Sequence, residues 1–549
     1  MQWDILSKEL PKTAEQVVDL LLHNRGVDAD ATLQFFSPKH PNDLTLEEVG
    51  IDPVQIQRAV ARIKQAKQNK EYVVVFGDYD ADGVTATAIL WETLYEMGVK
   101  AMPFIPNREK HGYGISNRSL DDLLVDKKPD LIITVDNGIV AHPALERLQR
   151  EGIDAIITDH HLPETKNEGS NFPPALAVVH STKLCGATTA WFLARELNRQ
   201  KAAELLDLCV IGTIADQMIL LDANRSFAFH GLEALRKTKR IGLLNLYELA
   251  DVKPEDITSY SINFAIAPRI NAMGRLGSAL DALRALCTKD KEKSLQLIQI
   301  LQTTNTQRQE LTWSMVDGAL KRANEWEHEK LIVLSSKEYH EGVIGLIAGK
   351  LVEEFAKPAI VISVGENVAK ASSRSVSGIN IVELIRQVRD ELIDVGGHPM
   401  AAGFSLQSDK ITSVTERLQK LAQQQIESAL LIPRITVEAL LSLELVKTDL
   451  INALKRFEPF GNGNTDPVFG FQNLQIVQAY ALGREKKHLK MVIGNDDGMT
   501  VECIGFGWGY LEQEILQAKK VDIAGTVGIN EWNGKKSVQM VIKDVVITD

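Results

Sequence analysis

The chain has 549 residues, 44% of them hydrophobic and 24% charged, with a formal net charge of −12. This is the composition of an ordinary soluble globular protein, too long for one core and sized for about three or four domains. It excludes a basic coat for nucleic acid but leaves room for a local basic groove, because binding follows the local field. No apolar run is long enough to span a bilayer, and the N-terminus MQWDILSKELPKTAEQ lacks the basic-then-apolar order of a signal peptide. A cytoplasmic protein with no membrane contact is expected. Cys185, Cys209, Cys287 and Cys503 show no CxxC pairing and lie in apolar surroundings, which predicts buried thiols and no zinc ribbon or disulfide framework.

Residues 1–70 read as a polar, mostly helical lead-in. AEQVVDLLLHNRG and DPVQIQRAVARIKQAKQNK carry apolar residues at helical spacing, and ATLQFFSPKHPNDL places two aromatics in an expected loop. From residue 71 the pattern changes. Tyr72–Phe76 forms an apolar run that reads as a buried parallel strand, and Gly83 and VTATAILWETL read as the helix after it. Asp78, Asp80 and Asp82 fall in the turn between them, at the carboxyl end of the strand, where open α/β sheets hold ligands. Three carboxylates within five residues repel one another unless something neutralises them, and a divalent cation is the simplest remedy. One of them capping the helix is the plainer alternative.

Further short apolar runs alternate with helices up to about residue 225, which predicts a parallel, doubly wound sheet. LIITV ends at Asp136 and Asn137, and AIIT ends at Asp159, His160 and His161. Strand ends of a parallel sheet lie on one edge, so these residues converge with the aspartate turn on a carboxylate and imidazole cage for manganese, magnesium or zinc. Asp216, after the apolar helix of GTIADQMIL, is a fourth contributor or a helix cap.

The order DYDADG, VDNG, TDHH and AD resembles the four signature motifs of the DHH phosphoesterase superfamily, and it is most similar to the RecJ branch of single-stranded-DNA exonucleases. IPNREKHGYGIS and APRINAMGRLG are similar to further segments of that branch. The resemblance implies a metal-dependent 5′→3′ exonuclease on single-stranded DNA that releases 5′-mononucleotides in repair and recombination, with two divalent ions, manganese ahead of magnesium. It places Asp136 as the carboxylate bridging both ions, with Asp80 and Asp82 each on one, and His160 and Asp216 completing the second. Asp78 ligates directly or supports from behind. His161 faces the scissile phosphate or a metal, Asp159 orients a histidine ring, and Asn137 is a supporting residue.

APRINAMGRLG reads as a polar loop bearing Arg269, Asn271 and Arg275, with Arg275 assigned to phosphate by the resemblance. Arg269 is either a salt-bridge partner or a phosphate contact. Residues 281–328 read as a long helical connector. Residues 329–428 read as a second, smaller α/β unit that resembles the DHH-associated domain. There Ser372, Ser373 and Arg374 offer hydroxyls and a guanidinium, and Gly396, Gly397 and His398 let backbone and imidazole approach phosphate. The same comparison implies a 5′-phosphate pocket of Arg108 and Arg374, with Tyr113 stacking on a base. From about residue 429 to 549, five short β-rich runs predict an OB-type barrel, with the basic run REKKHLK and the glycine-rich FEPFGNGN, including Phe457 and Phe460, as its nucleic-acid elements. In domain terms, residues 71–280 would be the catalytic lobe. The implied partners of a monomeric enzyme are single-stranded DNA, a helicase and a single-strand-binding protein. Two alternatives are a non-catalytic single-strand-binding scaffold and a phosphodiesterase for very short oligonucleotides.

Overall fold

The computed structural model describes residues 1–166, 169–532 and 534–548. The chain divides into two compact units, a smaller one of Met1–Gln2, Arg275–Gly277 and Gln299–Arg434, and a larger one of Trp3–Gly274, Ser278–Ile298 and Ile435–Asp549.

The larger unit is built on five parallel strands in the order Ala101–Phe104, Val73–Phe76, Leu131–Val135, Asp154–Asp159 and Ala177–His180. VVVF and LIITV are wholly buried, as strands covered by helices on both faces must be. Val74, Phe76, Ile132 and Ile157 pack with residues of the helices Asn117–Asp126 and His142–Arg150. The alternate residues Val73, Val75, Ile133 and Ile156 are fully buried on the opposite face. Read by chain order, the strands run 2-1-3-4-5, so the direction of winding reverses between Val73–Phe76 and Leu131–Val135. Phe76 is level with Thr134, and therefore the segments that follow these two strands leave the sheet side by side at the reversal.

The same unit contains a closed barrel of Phe469–Leu482, His488–Gly494, Thr500–Gly505, Lys535–Thr548 and Lys520–Trp532, in that spatial order. Only the pairing of Thr500–Gly505 with Lys535–Thr548 is parallel, which is the five-stranded OB arrangement. Arg225 ties the barrel's leading segment to the sheet's helices. It is 1% exposed, lies 3.8 Å over the Phe35 ring, and donates to the carbonyls of Phe35, Phe457 and Glu458.

Three expectations change. The N-terminal lead-in begins with a strand, Gln2–Ser7, which pairs with Arg434–Ala439; its partner is too distant in sequence to leave a local signal. ATLQFF is a short helix, Thr32–Phe36, because Phe35 and Phe36 pack edge-on against Phe457. Phe457 is accordingly fully buried and has no face to offer a nucleic acid. APRINAMGRLG is also helical, Ala267–Leu276, continuing from a π turn at Ile262–Ile266. Its Gly274 serves close packing, since a Cβ there would lie 2.3 Å from the Tyr79 carbonyl oxygen. Among the thiols, Cys185, Cys209 and Cys503 are buried and Cys287 is half-buried, all unpaired.

The smaller unit has a five-stranded sheet in the order Leu392–His398, Ala401–Gln407, Val368–Arg374, Ala359–Val364 and Ile332–Ser336, with only the last two strands parallel. The helix Lys291–Ala323 precedes it, 33 residues and about 50 Å long. Among the described residues, no helix is long and apolar enough to cross a membrane.

Candidate metal centre and its surroundings

Three strand ends and one helix end deliver the acidic and imidazole groups. Asp78, Asp80 and Asp82 follow Val73–Phe76, Asp136 follows Leu131–Val135, and Asp159, His160 and His161 close Asp154–Asp159. Asp216 caps the carboxyl end of Leu206–Ala215. The ligand atoms of three groups lie within 4.8 Å of one another: Asp78 with Asp80 and Asp136, Asp82 with His160 and Asp216, and Asp136 with His160 and His161. Asp136 and His160 each belong to two of them. The Nε2 atom of His160 is 3.1 Å from Asp136 Oδ1, 3.7 Å from Asp216 Oδ2 and 3.9 Å from Asp82 Oδ2.

The carboxylates are held by backbone and glycine. Asp80 caps the helix Ala81–Glu96, accepting from the Gly83 N–H at 3.0 Å. Asp82 accepts from Gly186 and Ala187 N–H at 2.6 and 2.8 Å, at the start of the helix Gly186–Leu197, where the backbone dipoles favour an anion. Asp136 sits at φ 62, a left-handed backbone that a side chain rarely adopts and that functional turns retain. A Cβ on Gly186 would meet Asp136 Oδ1 at 2.4 Å, one on Gly212 would meet Asp82 Oδ1 at 2.3 Å, and one on Gly83 would meet Asp78 Cβ at 2.6 Å. Each glycine thus makes room for one carboxylate.

The electrostatics are those of crowded carboxyls that burial and like charge keep from ionising together. Burial, then the charges of Asp82, Asp80, Asp78 and Asp216, pushes Asp136 well above the usual carboxylate range. Burial and Asp80 do the same for Asp78, and burial raises Asp82. Asp216, with 31% of its side chain exposed, is pushed to about 8 by desolvation of its carboxyl and by Asp82 and Asp80. Oδ1 of Asp78 is buried with no hydrogen-bond partner. A hard oxygen-rich set with one imidazole, raised by mutual repulsion and holding an orphaned oxygen, fits divalent cations.

Asp159 behaves differently. Its oxygens accept from the N–H groups of Ile139, His160 and His161 and from the His161 ring, whose Nδ1 lies at 2.8 Å. Burial opposes ionisation, but the His161 hydrogen bond and the two histidine charges outweigh it and lower Asp159 to about 2. Burial likewise opposes protonation of His161, and Asp159 overcomes it, raising the imidazole to about 9. Nε2 of His161 is 3.1 Å from the Tyr113 hydroxyl, which also donates to the Asp136 carbonyl at 3.2 Å. Arg108 lies over the Tyr79 ring at 5.5 Å, and Tyr79 meets Tyr113 edge-on. Asn137 braces the turn, donating to the Val135 carbonyl and accepting from the Ile115 N–H.

These eleven expected residues, Asp78, Asp80, Asp82, Arg108, Tyr113, Asp136, Asn137, Asp159, His160, His161 and Asp216, lie in the larger unit on one rim. Arg275, Ser372, Arg374, Gly397 and His398 belong to the smaller unit. There Arg374 pairs across the sheet with Ala401 and Ala401 with His398, while Ser372 pairs with Gly403 and Gly403 with Gly396, so Ser372, Arg374 and His398 share one face. Gly345, at the start of the helix Ile344–Phe355, abuts the Ser372 hydroxyl and the Arg374 guanidinium. Gly397, at φ 138, could not carry a Cβ, which would strike the Ala401 carbonyl at 2.4 Å. Arg275 donates to the Gly342 carbonyl, and in the larger unit Arg269 donates to that of Ala265. The basic run around His488 is partly neutralised, with Lys487 paired to Glu485 and Lys490 to Glu502.

Other residues support the rim in ways that their sequence segments do not reveal. Asn271 accepts from the Ala81 N–H at 2.7 Å, beside Asp80. Gln217, at φ 56 directly after Asp216, accepts at its carbonyl from Asn462 and donates through its side chain to Asn263. Asn462 also accepts at its carbonyl from the Leu220 N–H at 2.7 Å. The glycine-rich loop before the barrel therefore clamps both sides of the segment that carries Asp216. Gly463, at φ 73, and Gly461 permit this, since a Cβ on either would meet Ile219 or Leu220 at 2.5 Å.

Three family models match the chain: the DHH family N-terminal domain over residues 72–213, the DHHA1 domain over 328–427 and the RecJ OB domain over 437–544. The single-stranded-DNA-specific exonuclease RecJ of Bacillus subtilis is 34% identical over 100% of this chain and 71% of its own length. This chain belongs to the RecJ family. The crystal structure of RecJ from Thermus thermophilus in complex with Mn2+ is 30% identical, with a TM-score of 0.84, over 100% of this chain and 80% of that one. The same organism's RecJ in complex with Mg2+ is 27% identical, with a TM-score of 0.77, over 100% and 79%. Solved RecJ structures thus hold Mn2+ or Mg2+, the kinds of cation that the acidic rim of this chain suits.

Proposed function

We infer that this chain is a metal-dependent exonuclease that degrades single-stranded DNA from the 5′ end and releases 5′-mononucleotides. One observation carries the reading: ligand-type groups from separate strand ends meet on one rim, and Asp136 is common to two of the clusters. We assign two divalent ions, manganese ahead of magnesium, to Asp78, Asp80 and Asp136 and to Asp82, Asp136, His160 and Asp216, with Asp136 as the bridge. Two such ions, when bound, make a bound water acidic enough to attack and neutralise the oxygens of the phosphodiester.

The chain's own residues supply the rest. Asp159 holds the His161 ring through Nδ1 and raises its pKa to about 9, so its Nε2 faces Tyr113 beside the rim. That is the group to steady negative charge on the scissile phosphate or to donate a proton to the leaving oxygen. Arg108 and Arg374 suit the 5′ phosphate and Tyr113 suits stacking on a base, with Ser372 and His398 as further phosphate-binding groups. A non-catalytic scaffold has no use for a complete ligand set whose repulsion costs stability. Unpaired strand must be supplied by another activity, so a helicase and a single-strand-binding protein are the partners we assign to a monomeric, cytoplasmic enzyme with reduced thiols.

The test is digestion of a 5′-labelled and a 3′-labelled oligonucleotide with manganese, magnesium or chelator. Early release of labelled mononucleotide from the 5′-labelled strand alone, abolished by chelator, is expected. Early release from the 3′ label, or full activity in chelator, would overturn the reading.

A further inference from the structure

The helical stretch that braces the metal rim has a second feature at its other end. It runs from Ser259–Ser261 through the π turn Ile262–Ile266 into Ala267–Leu276. Toward its end it is locked to the aspartate turn, through the Asn271 acceptor on Ala81 and through Gly274 against Tyr79. At its beginning, Tyr260 and Phe264 lie one turn apart with ring centroids 4.3 Å apart and planes at 29°, stacked on each other. They remain 69% and 65% exposed. Two large aromatic rings stacked in water forgo burial that would stabilise the fold, and a contiguous exposed apolar patch marks a surface that something else covers.

The pair lines a cleft of about 1110 Å³, together with Gln217, Lys455, Phe460 and Asn462. Gln217 is the residue after Asp216, so this cleft borders the segment that carries that carboxylate. Lys455 forms no ion pair among the described residues, and Arg456 lies over the Phe36 ring at 4.3 Å. Glu233, Glu458 and Asp466 also line the cleft, so its charge nearly cancels and cannot alone hold an anionic strand. The occupant must be recognised mainly by flat aromatic faces. Unpaired bases offer these, and a duplex hides them.

We propose that Tyr260 and Phe264 form a base-stacking platform for the part of a single strand that lies away from the reacting end, with Lys455 on its backbone. This rests on the exonuclease reading above. From Tyr260 to Asn271 the helix rises about 16 Å, so only strands of several nucleotides span both platform and rim. Stacking of this kind accepts any base, as digestion of unspecified sequence requires.

The test uses the full chain carrying Tyr260→Ala and Phe264→Ala. Affinity for a fluorescent strand of ~20 nucleotides, read by anisotropy in chelator so that nothing is cleaved, should fall about 10- to 100-fold. Manganese-supported hydrolysis of a 5′-phosphorylated dinucleotide, too short to reach the platform, should not change. Replacing the outlying bases of the ~20-mer with abasic sites should weaken the wild type as the mutations do, and weaken the double variant no further. The variant's dependence of affinity on salt should keep its slope, whereas Lys455→Ala should lower that slope by about 1. Tyr260→Phe with Phe264→Tyr should restore binding.

Unchanged affinity of the double variant for the ~20-mer, or an equal loss on the dinucleotide, would overturn the platform, as would abasic sites that weaken wild type and variant alike. If the wild type cleaves neither substrate, the exonuclease reading falls on that arm alone, and anisotropy still decides the platform.

Discussion

The metal rim and the aromatic cleft lie on neighbouring parts of one unit and are built on opposite principles. At the rim, polar groups are buried in a state that water would not favour: Asp78 and Asp136 are 1% and 2% exposed, and each is raised by burial and by like charge. In the cleft, apolar rings are exposed in a state that water also does not favour. Both carry a local cost in free energy, one electrostatic and one in uncovered aromatic surface. The rim is rigid because strand ends, glycines and backbone N–H groups fix every carboxylate. The cleft is lined instead by the faces of several helices and a loop, with its aromatic pair left exposed.

The contrast can be broken most severely at its shared residue. Asp136→Ala should reduce turnover by about three orders of magnitude or more, because a bridging carboxylate supports both ions, while strand affinity in chelator changes little. Near-normal turnover would remove the bridging role. Gly186→Ala tests whether the rim is as rigid as described. Its methyl would sit 2.4 Å from Asp136 Oδ1, and manganese affinity by calorimetry should fall about 10- to 100-fold with the fold retained. Affinity equal to wild type would mean that the carboxylate relaxes freely.

A smaller effect concerns the end of the substrate. Removing the 5′ phosphate should slow digestion about tenfold, the size of one lost charge-assisted hydrogen bond, and Arg374→Ala should erase that preference. Equal rates on both substrates would leave the smaller unit's Ser372, Arg374 and His398 without the assigned ligand.

The smallest effect is thermal. Carboxyls raised in the folded state contribute stability while protonated and lose it as pH rises from about 4 toward the folded value, about 8 for Asp216. His161, raised to about 9, loses its contribution in the same direction. Chelated protein should therefore melt about 2–4 °C lower at pH 8 than at pH 6, and manganese should raise melting more at pH 8. A chelated protein equally stable at both values would show that the rim carries no stored repulsion.

Much of the rim is legible in the sequence because its parts are local. Each strand is a short apolar run that stops at its polar residue, and parallel pairing sends all such ends to one edge, so strand order and strand ends suffice to group Asp78, Asp136 and His160. The barrel's five strands are legible for the same reason, since each has its own alternation and turn. The helix Ala267–Leu276 is not, because its glycine, proline and asparagine carry the same local signal as a turn, and only Tyr79 packed against Gly274 distinguishes them.

The chain alone determined which chemistry is present and in what order, because strand propensity and the identity of residues at strand ends are properties of short segments. Tertiary structure alone decided what holds that chemistry still: Gly186 beneath Asp136, Gly212 beneath Asp82, Asn462 astride the segment after Asp216, and Arg225 buried beneath Phe35. These contacts join residues up to hundreds of positions apart through packing distances of a few ångströms, and no local pattern encodes a distance between segments that meet only on folding.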